Sequence, residues 1–346
     1  MPKQASLNLM GQSLRLLPEQ IIDLIQQTVN FKLPKNYKNI NRVVVSGSGG
    51  SNLAGRIMAA VFNQGLTAPL LINPDYEAPG WVDKNTLFVA CSYSGQTEET
   101  LAAYQAAKKQ KAKIVVLTSQ NSNNKLAQSA ARDRLPGLIF KTTANPAGQP
   151  RLGLGYSLAG LSLILEKARV LKSRSKNLEQ VSNKLKIWGN RLIPEKSNNQ
   201  ASQLAHKLNG HNIIIVSGEF LAGNAHTLRN QICENSKNFA DYLTLPDLNH
   251  FAMEGLSKPN NSQLIFLFFD SILDSPRVQK RAGLTKQVIK KNKLPFVSYQ
   301  LQGKNKWEQS WEMLQLGAWL TLYLAELNKV DPLAIPWVDW FKKQLK

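Results

Sequence analysis

Two short stretches of the sequence gather glycines and hydroxyls at spacings suited to holding an anion. One is Gly47-Ser48-Gly49-Gly50-Ser51; the other is Ser92-Tyr93-Ser94-Gly95-Gln96-Thr97-Glu98-Glu99. Each follows an apolar run and precedes a helical pattern. A helix start offers unpaired backbone N–H groups and the positive end of a dipole, which suit a phosphate. Glycine lets the backbone approach a ligand closely, and serine and threonine hydroxyls add donors. The second stretch is the richer, with Ser92, Ser94 and Thr97 close together. Neither carries the lysine of a nucleotide-triphosphate loop. A G-x-G-x-x-G dinucleotide pattern would need glycine at position 52, where Asn52 stands. A lone Gly/Ser loop is most often a plain turn or helix cap, so these loops alone name no substrate.

The elements around the loops give them a place. Residues 42–47 (Arg-Val-Val-Val-Ser-Gly) predict a buried strand, 51–62 a helix, 86–91 a second strand, 98–111 a second helix and 113–118 a third strand. Strands and helices in alternation, with continuously apolar strands, predict a parallel sheet covered on both faces. In such sheets ligands bind beyond the carboxyl ends of the strands, where both loops fall. The pattern then returns. Residues 212–218 restate 43–47 with an offset of 171, residues 264–269 parallel the second strand, and 293–299 the third. Helical spacing at 158–172 and 178–192 predicts the connection, and a breaker cluster follows at 194–199. Further helices are expected from Pro18 onward, at 307–328 and at 337–346. The expected organisation is a first domain at 1–155, a helical connection at 156–200, and a second domain with C-terminal helices at 201–346.

Composition narrows the function classes. A chain of 346 residues fits two domains, 43% hydrophobic residues allow a sizeable core, and 19% charged residues are too few for a largely disordered chain. The net charge of +20 is spread over lysine-rich segments at 32–38, 108–113, 184–196 and 286–293, with no nucleic-acid motif among them. It reads as a solvated basic surface on a protein with anionic substrates, with no nucleic-acid partner. The two cysteines, Cys91 and Cys233, and four scattered histidines show no metal-ligand spacing, so no metal is expected and a reducing compartment is. The longest apolar runs, such as 264–269, fall far short of the roughly 20 residues of a membrane helix. Met1-Pro2-Lys3-Gln4 is followed by no long apolar run, so no signal peptide is expected.

Ser92-Tyr93-Ser94-Gly95-Gln96-Thr97-Glu98-Glu99-Thr100 closely resembles the S-x-S-G-x-T-x-E-T signature of SIS domains, which bind phosphosugars. Val45-Ser46-Gly47-Ser48-Gly49-Gly50-Ser51 resembles their first-strand loop. Three further segments resemble the bifunctional phosphoglucose/phosphomannose isomerases. They are Pro150-Arg151-Leu152-Gly153-Leu154-Gly155, Glu234-Asn235-Ser236-Lys237, and Leu248-Asn249-His250 followed by Met253-Glu254-Gly255. The resemblance runs from Pro18-Glu19-Gln20 to Asp331-Pro332 and Phe341-Lys342. It implies an α/β fold of two SIS-type subdomains, each a parallel sheet sandwiched by helices. It also implies a cytoplasmic homodimer acting on a phosphorylated hexose, with no cofactor. Residue by residue, Gly50, Ser51, Ser92, Ser94 and Thr97 match the phosphate site. Glu234 matches the base that moves a proton between C1 and C2. His250 matches the ring-opening histidine, donated across the dimer interface. Arg151 matches the arginine near the enediolate, and Lys342 a lysine returning from the C-terminal helix.

Aldose–ketose isomerisation needs such a set: a carboxylate to carry the proton, a cation beside the enediolate oxygen, and an acid/base for the ring oxygen. The implied reaction interconverts fructose 6-phosphate with glucose 6-phosphate and mannose 6-phosphate. Two departures stand out. Phe251-Ala252 follows His250 where many members have Asn-Glu, and no threonine occurs after Thr321, near the C-terminus where the family's mannose specificity is partly assigned. The competing reading is a non-catalytic sugar-phosphate regulator of the SIS class, which needs the phosphate loop but not Glu234, His250 and Arg151 together.

Overall fold

The computed structural model describes residues 3–171, 175–257 and 263–345. The chain divides into two compact units. One runs from Leu16 to Lys186; the other joins the helix Lys3–Arg15 to the chain from Ile187 onward.

The Leu16–Lys186 unit is built on five parallel strands: β1 (Arg42–Ser46), β2 (Leu70–Asn73), β3 (Thr86–Ser92), β4 (Lys113–Ser119) and β5 (Gly137–Phe140). Their order in the sheet is β2-β1-β3-β4-β5. Every residue of β3 is buried, as a continuous apolar run between two helical layers requires. Val44, Phe88, Val116, Tyr104, Ala107 and Leu126 pack into one cluster on a sheet face. Strand order reverses at β1 and β3: β1 leads outward to β2, and β3 outward to β4. Ser46 pairs with Ala90, so the chain leaves both strands side by side at the carboxyl edge. A Cβ on Gly47 would lie 2.7 Å from the Cys91 carbonyl oxygen, so only glycine lets these two exits run so close.

The second unit repeats the plan with four parallel strands, β6 (Asn212–Gly218), β7 (Ala240–Leu245), β8 (Leu264–Asp270) and β9 (Phe296–Gln300), in the order β7-β6-β8-β9. Val216, Phe266, Phe268, Leu245 and Ile289 form its sheet core. The helix Lys306–Leu327 is buried at every residue from Gln309 to Ala325, on all of its sides, as expected of a helix enclosed by its neighbours.

The expected fold class is therefore the observed one. The connection expected at 156–200 contains the helices Leu154–Lys167 and Ser175–Gly189, and the boundary between the units falls at Lys186 and Ile187. Two expected helix ends, at 172 and 346, lie outside the described residues. Among the described residues no helix is long and apolar enough to cross a membrane.

Candidate active site

The two glycine- and hydroxyl-rich loops meet at the β1/β3 edge of the first sheet. The loop after β1 winds into a 3-10 turn, Gly49–Asn52, before the helix Leu53–Val61 begins. Ser51 Oγ accepts the Tyr93 N–H at 3.0 Å, tying this loop to the one after β3. Ser92 is fully buried, and its hydroxyl lies 2.8 Å from that of Thr97. Ser92 thus braces the loop from within, while Ser94, whose Oγ accepts the Gln96 N–H at 3.2 Å, is exposed and Thr97 and Ser51 are half-buried. Thr97 precedes the helix Glu98–Lys109, which supplies the free N–H groups of a helix start.

Arg151 reaches the same place from another part of the chain. It sits in the 3-10 turn Pro150–Leu152 and is 3% exposed, with Nη1 donating to Gln149 Oε1 at 3.0 Å. A Cβ on Gly50 would stand 3.1 Å from Pro150 Cβ and 3.4 Å from the Arg151 nitrogen, so the first loop and the Arg151 turn touch. Gln20, fully buried, fixes that turn. Its amide donates to the carbonyls of Leu152 and Ala144 at 2.8 and 3.1 Å, and its Oε1 accepts the Gly155 N–H at 3.0 Å. Asn145 Nδ2 bridges Tyr93 Oη and the Gln149 carbonyl at 2.8 and 3.0 Å. Gln20 and Asn145 hold the Arg151 turn in place, and sequence reasoning assigned neither of them a part in the site. The quoted Pro18-Glu19-Gln20 segment was the one available signal.

In the second unit, Glu234 is half-buried on a π-helical turn, Ile232–Ser236, that extends the helix Ala222–Gln231. Single π-turns inside helices are rare and recur at functional sites. The turn is held on several sides. Asn235 Nδ2 donates to Thr321 Oγ1 at 2.9 Å, and Ser236 Oγ to the Ile232 carbonyl at 2.6 Å. Lys237, left-handed at φ 57°, ends the turn; its ammonium donates to the carbonyls of Glu234, Asp331 and Ala334 at 2.6, 2.6 and 2.7 Å. A carboxylate on so fixed a backbone suits a proton transfer between two neighbouring carbons.

His250 closes a 3-10 turn, Asp247–His250, after β7 and is exposed. Leu248 anchors the turn in the core. Asn249 ties it to the helix Pro276–Lys291, donating to Thr285 Oγ1 at 2.9 Å and accepting from Arg281 at 3.1 Å. Lys342 lies on the exposed helix Pro336–Gln344, which buries none of its side chains. The structure thus brings Gly50, Ser51, Ser92, Ser94, Thr97 and Arg151 together within the first unit. Glu234, His250 and Lys342 belong to the second, on separate elements. Among the described residues no cluster of metal-ligating side chains occurs.

Two parallel α/β sheets in tandem, the first ending in a hydroxyl-rich loop, define a protein of the tandem SIS class. The SIS domain model matches residues 36–134, and the model of the bacterial phospho-glucose isomerase C-terminal SIS domain matches residues 197–345. Among solved structures, a hypothetical protein of Thermus thermophilus superposes with a TM-score of 0.73 at 17% identity, covering 97% of this chain and 89% of its own. Tagatose-6-phosphate ketose/aldose isomerase of Escherichia coli gives 0.68 at 15% identity, covering 95% of both chains. At those identities the likeness is one of fold. The bifunctional phosphoglucose/phosphomannose isomerase of Caldicellulosiruptor bescii is 31% identical over 345 residues, 97% of this chain and 98% of that protein. The chain belongs to the bifunctional phosphoglucose/phosphomannose isomerase family.

Proposed function

We propose that this protein is an aldose–ketose isomerase that interconverts fructose 6-phosphate with glucose 6-phosphate, and with mannose 6-phosphate, through an enediolate. The full-length match to a bifunctional phosphoglucose/phosphomannose isomerase carries the reading. In this mechanism Ser51, Ser94 and Thr97 bind the phosphate, on a loop that Gly50 and Ser92 allow and brace. Glu234 takes the proton from C2 of the aldose and returns it to C1. The Arg151 guanidinium stabilises negative charge on the enediolate oxygen. His250 and Lys342 serve the ring oxygen and the developing charge. A purely regulatory phosphosugar binder would need only the first of these groups. The direct experiment follows each of the three sugar phosphates by NMR with purified protein. Interconversion of the fructose and glucose phosphates is the expected result, and loss of neither signal over many hours would overturn the enzyme reading.

The phosphate assignment has its own check. Ser94→Ala with Thr97→Ala removes two donors to a dianion. Hydrogen bonds to charged groups are worth roughly 1.5–3 kcal/mol each, so inhibition by inorganic phosphate should weaken by more than about tenfold. Unchanged inhibition moves the phosphate elsewhere.

The same reading places the enzyme in the cytoplasm as a homodimer in which His250 completes the partner's site. Mixing inactive Glu234→Gln chains with inactive His250→Ala chains should then restore part of the activity. Heterodimers that form and stay inactive would count against a shared site.

A further inference from the structure

A loop that binds a phosphate dianion must present donors to it and keep its own carbonyl lone pairs away. From the end of β3 into its loop, four successive carbonyls all accept from one other segment, residues 118–126. The Ser92 carbonyl accepts Thr118 Oγ1 at 2.6 Å, and the Tyr93 carbonyl accepts Ser119 Oγ at 2.5 Å. The Ser94 carbonyl accepts Asn121 Nδ2 at 3.1 Å, and the Gly95 carbonyl accepts the Leu126 N–H at 3.0 Å. The loop is therefore oriented from behind, by the β4 exit and the start of the helix Lys125–Arg132.

Asn124 is the centre of that segment. It is 3% exposed. Its Nδ2 donates to Thr118 Oγ1 at 2.7 Å and to the Ser119 carbonyl at 2.6 Å, and its Oδ1 caps the helix by accepting the Ala127 N–H at 2.8 Å. Thr118 thus relays Asn124 to the Ser92 carbonyl. The same side chain fills the space behind Gly95, where a Cβ would lie 1.9 Å from Asn124 Oδ1. An amide in a solvated cap would make only the last of its three bonds.

We propose that Asn124 is a positioning residue for the phosphate loop: through Thr118 and Ser119 it holds the Ser92 and Tyr93 carbonyls off the bound phosphate. The proposal rests on the assignment of that loop to the sugar phosphate. Capping and positioning are separable. Serine is a good helix cap but too short to make the amide's two donations. Asn199 offers a matched comparison in the other unit. Its Oδ1 caps the helix Gln200–Leu208 through Ala201 and Ser202, and its Nδ2 donates to the Leu192 carbonyl and to Tyr323 Oη, both at 2.6 Å.

The experiment titrates wild type, Asn124→Ser and Asn199→Ser with inorganic phosphate by calorimetry, and measures kcat and KM for fructose 6-phosphate. Asn124→Ser should weaken phosphate binding and raise KM by about tenfold with kcat within about threefold, the loss of one charge-assisted bond. Asn199→Ser should leave phosphate affinity unchanged. Should Asn124→Ser not fold, Thr118→Val cuts the same relay while keeping the side chain's shape, and the same rise in KM is expected. Wild-type phosphate affinity in the folded Asn124 or Thr118 variant, or an equal loss in the Asn199 variant, overturns the proposal. A wild-type protein that binds no phosphate overturns instead the loop assignment beneath it.

Discussion

Glu234→Gln is expected to lose about 10²–10⁴-fold in turnover, the usual contribution of a positioned acid–base group, and to keep its affinity for sugar phosphate. Glutamine preserves the shape of the side chain but cannot accept a proton from carbon. The backbone that carries it should not move. The π-turn is held by Asn235 to Thr321, by Ser236 to Ile232 and by the Lys237 ammonium on three carbonyls. Affinity should survive because the phosphate donors lie on the first unit's loops. The variant's kcat, its phosphate affinity and solvent deuterium exchange at C2 separate the outcomes. Turnover and exchange near wild type would place the base on another residue. Loss of exchange with phosphate affinity retained is the signature of a missing base. His250→Ala should differ in kind: activity on ring-closed substrate falls further than on substrate supplied open, since ring opening is the step assigned to it.

Much of this fold is legible in the sequence because its central strands are enclosed. β1, β3, β4, β6 and β8 are continuous apolar runs, and each was predicted within a residue or two. β2 and β5 were not, since each has four residues at a sheet edge and leaves a middle residue exposed. β7, also an edge strand, has only its first and last residues buried and carries too little apolar signal. The third strand of the second half starts at Phe296 rather than 293, because Lys293, at φ 59°, closes the preceding helix in a left-handed turn. The proposed phosphate loop stands out in the sequence, being local. Its supports do not. Asn124 looks like one of several polar residues in a loop, and Gln20 acts on a carbonyl 124 residues away. No periodicity or composition marks a residue whose role is made by tertiary contact. The roles of His250 and Lys342 rest on the resemblance, since both are exposed on their own elements.

Gly95→Ala should be the most damaging single-methyl change in the first unit. Two independent costs coincide there. Gly95 has φ +68°, and an L-residue in the left-handed region costs roughly 1–2 kcal/mol. The new methyl would also lie 1.9 Å from Asn124 Oδ1 and 2.2 Å from its Cγ, inside any tolerable contact. Asn124 cannot swing aside freely, because its amide is bonded to Thr118, Ser119 and Ala127. Overpacking of a filled site typically costs about 1–3 kcal/mol, so the sum is roughly 2–5 kcal/mol. The alternative to bearing that cost is to move the loop, which releases the Gly95 carbonyl from Leu126 and the Ser94 carbonyl from Asn121. Either response should abolish measurable phosphate binding, and thermal unfolding tells them apart: a large fall in Tm means the clash is borne, a small one means the loop has shifted. A Gly95→Ala protein with wild-type Tm and wild-type phosphate affinity would show that neither the left-handed turn nor the Asn124 contact constrains the loop.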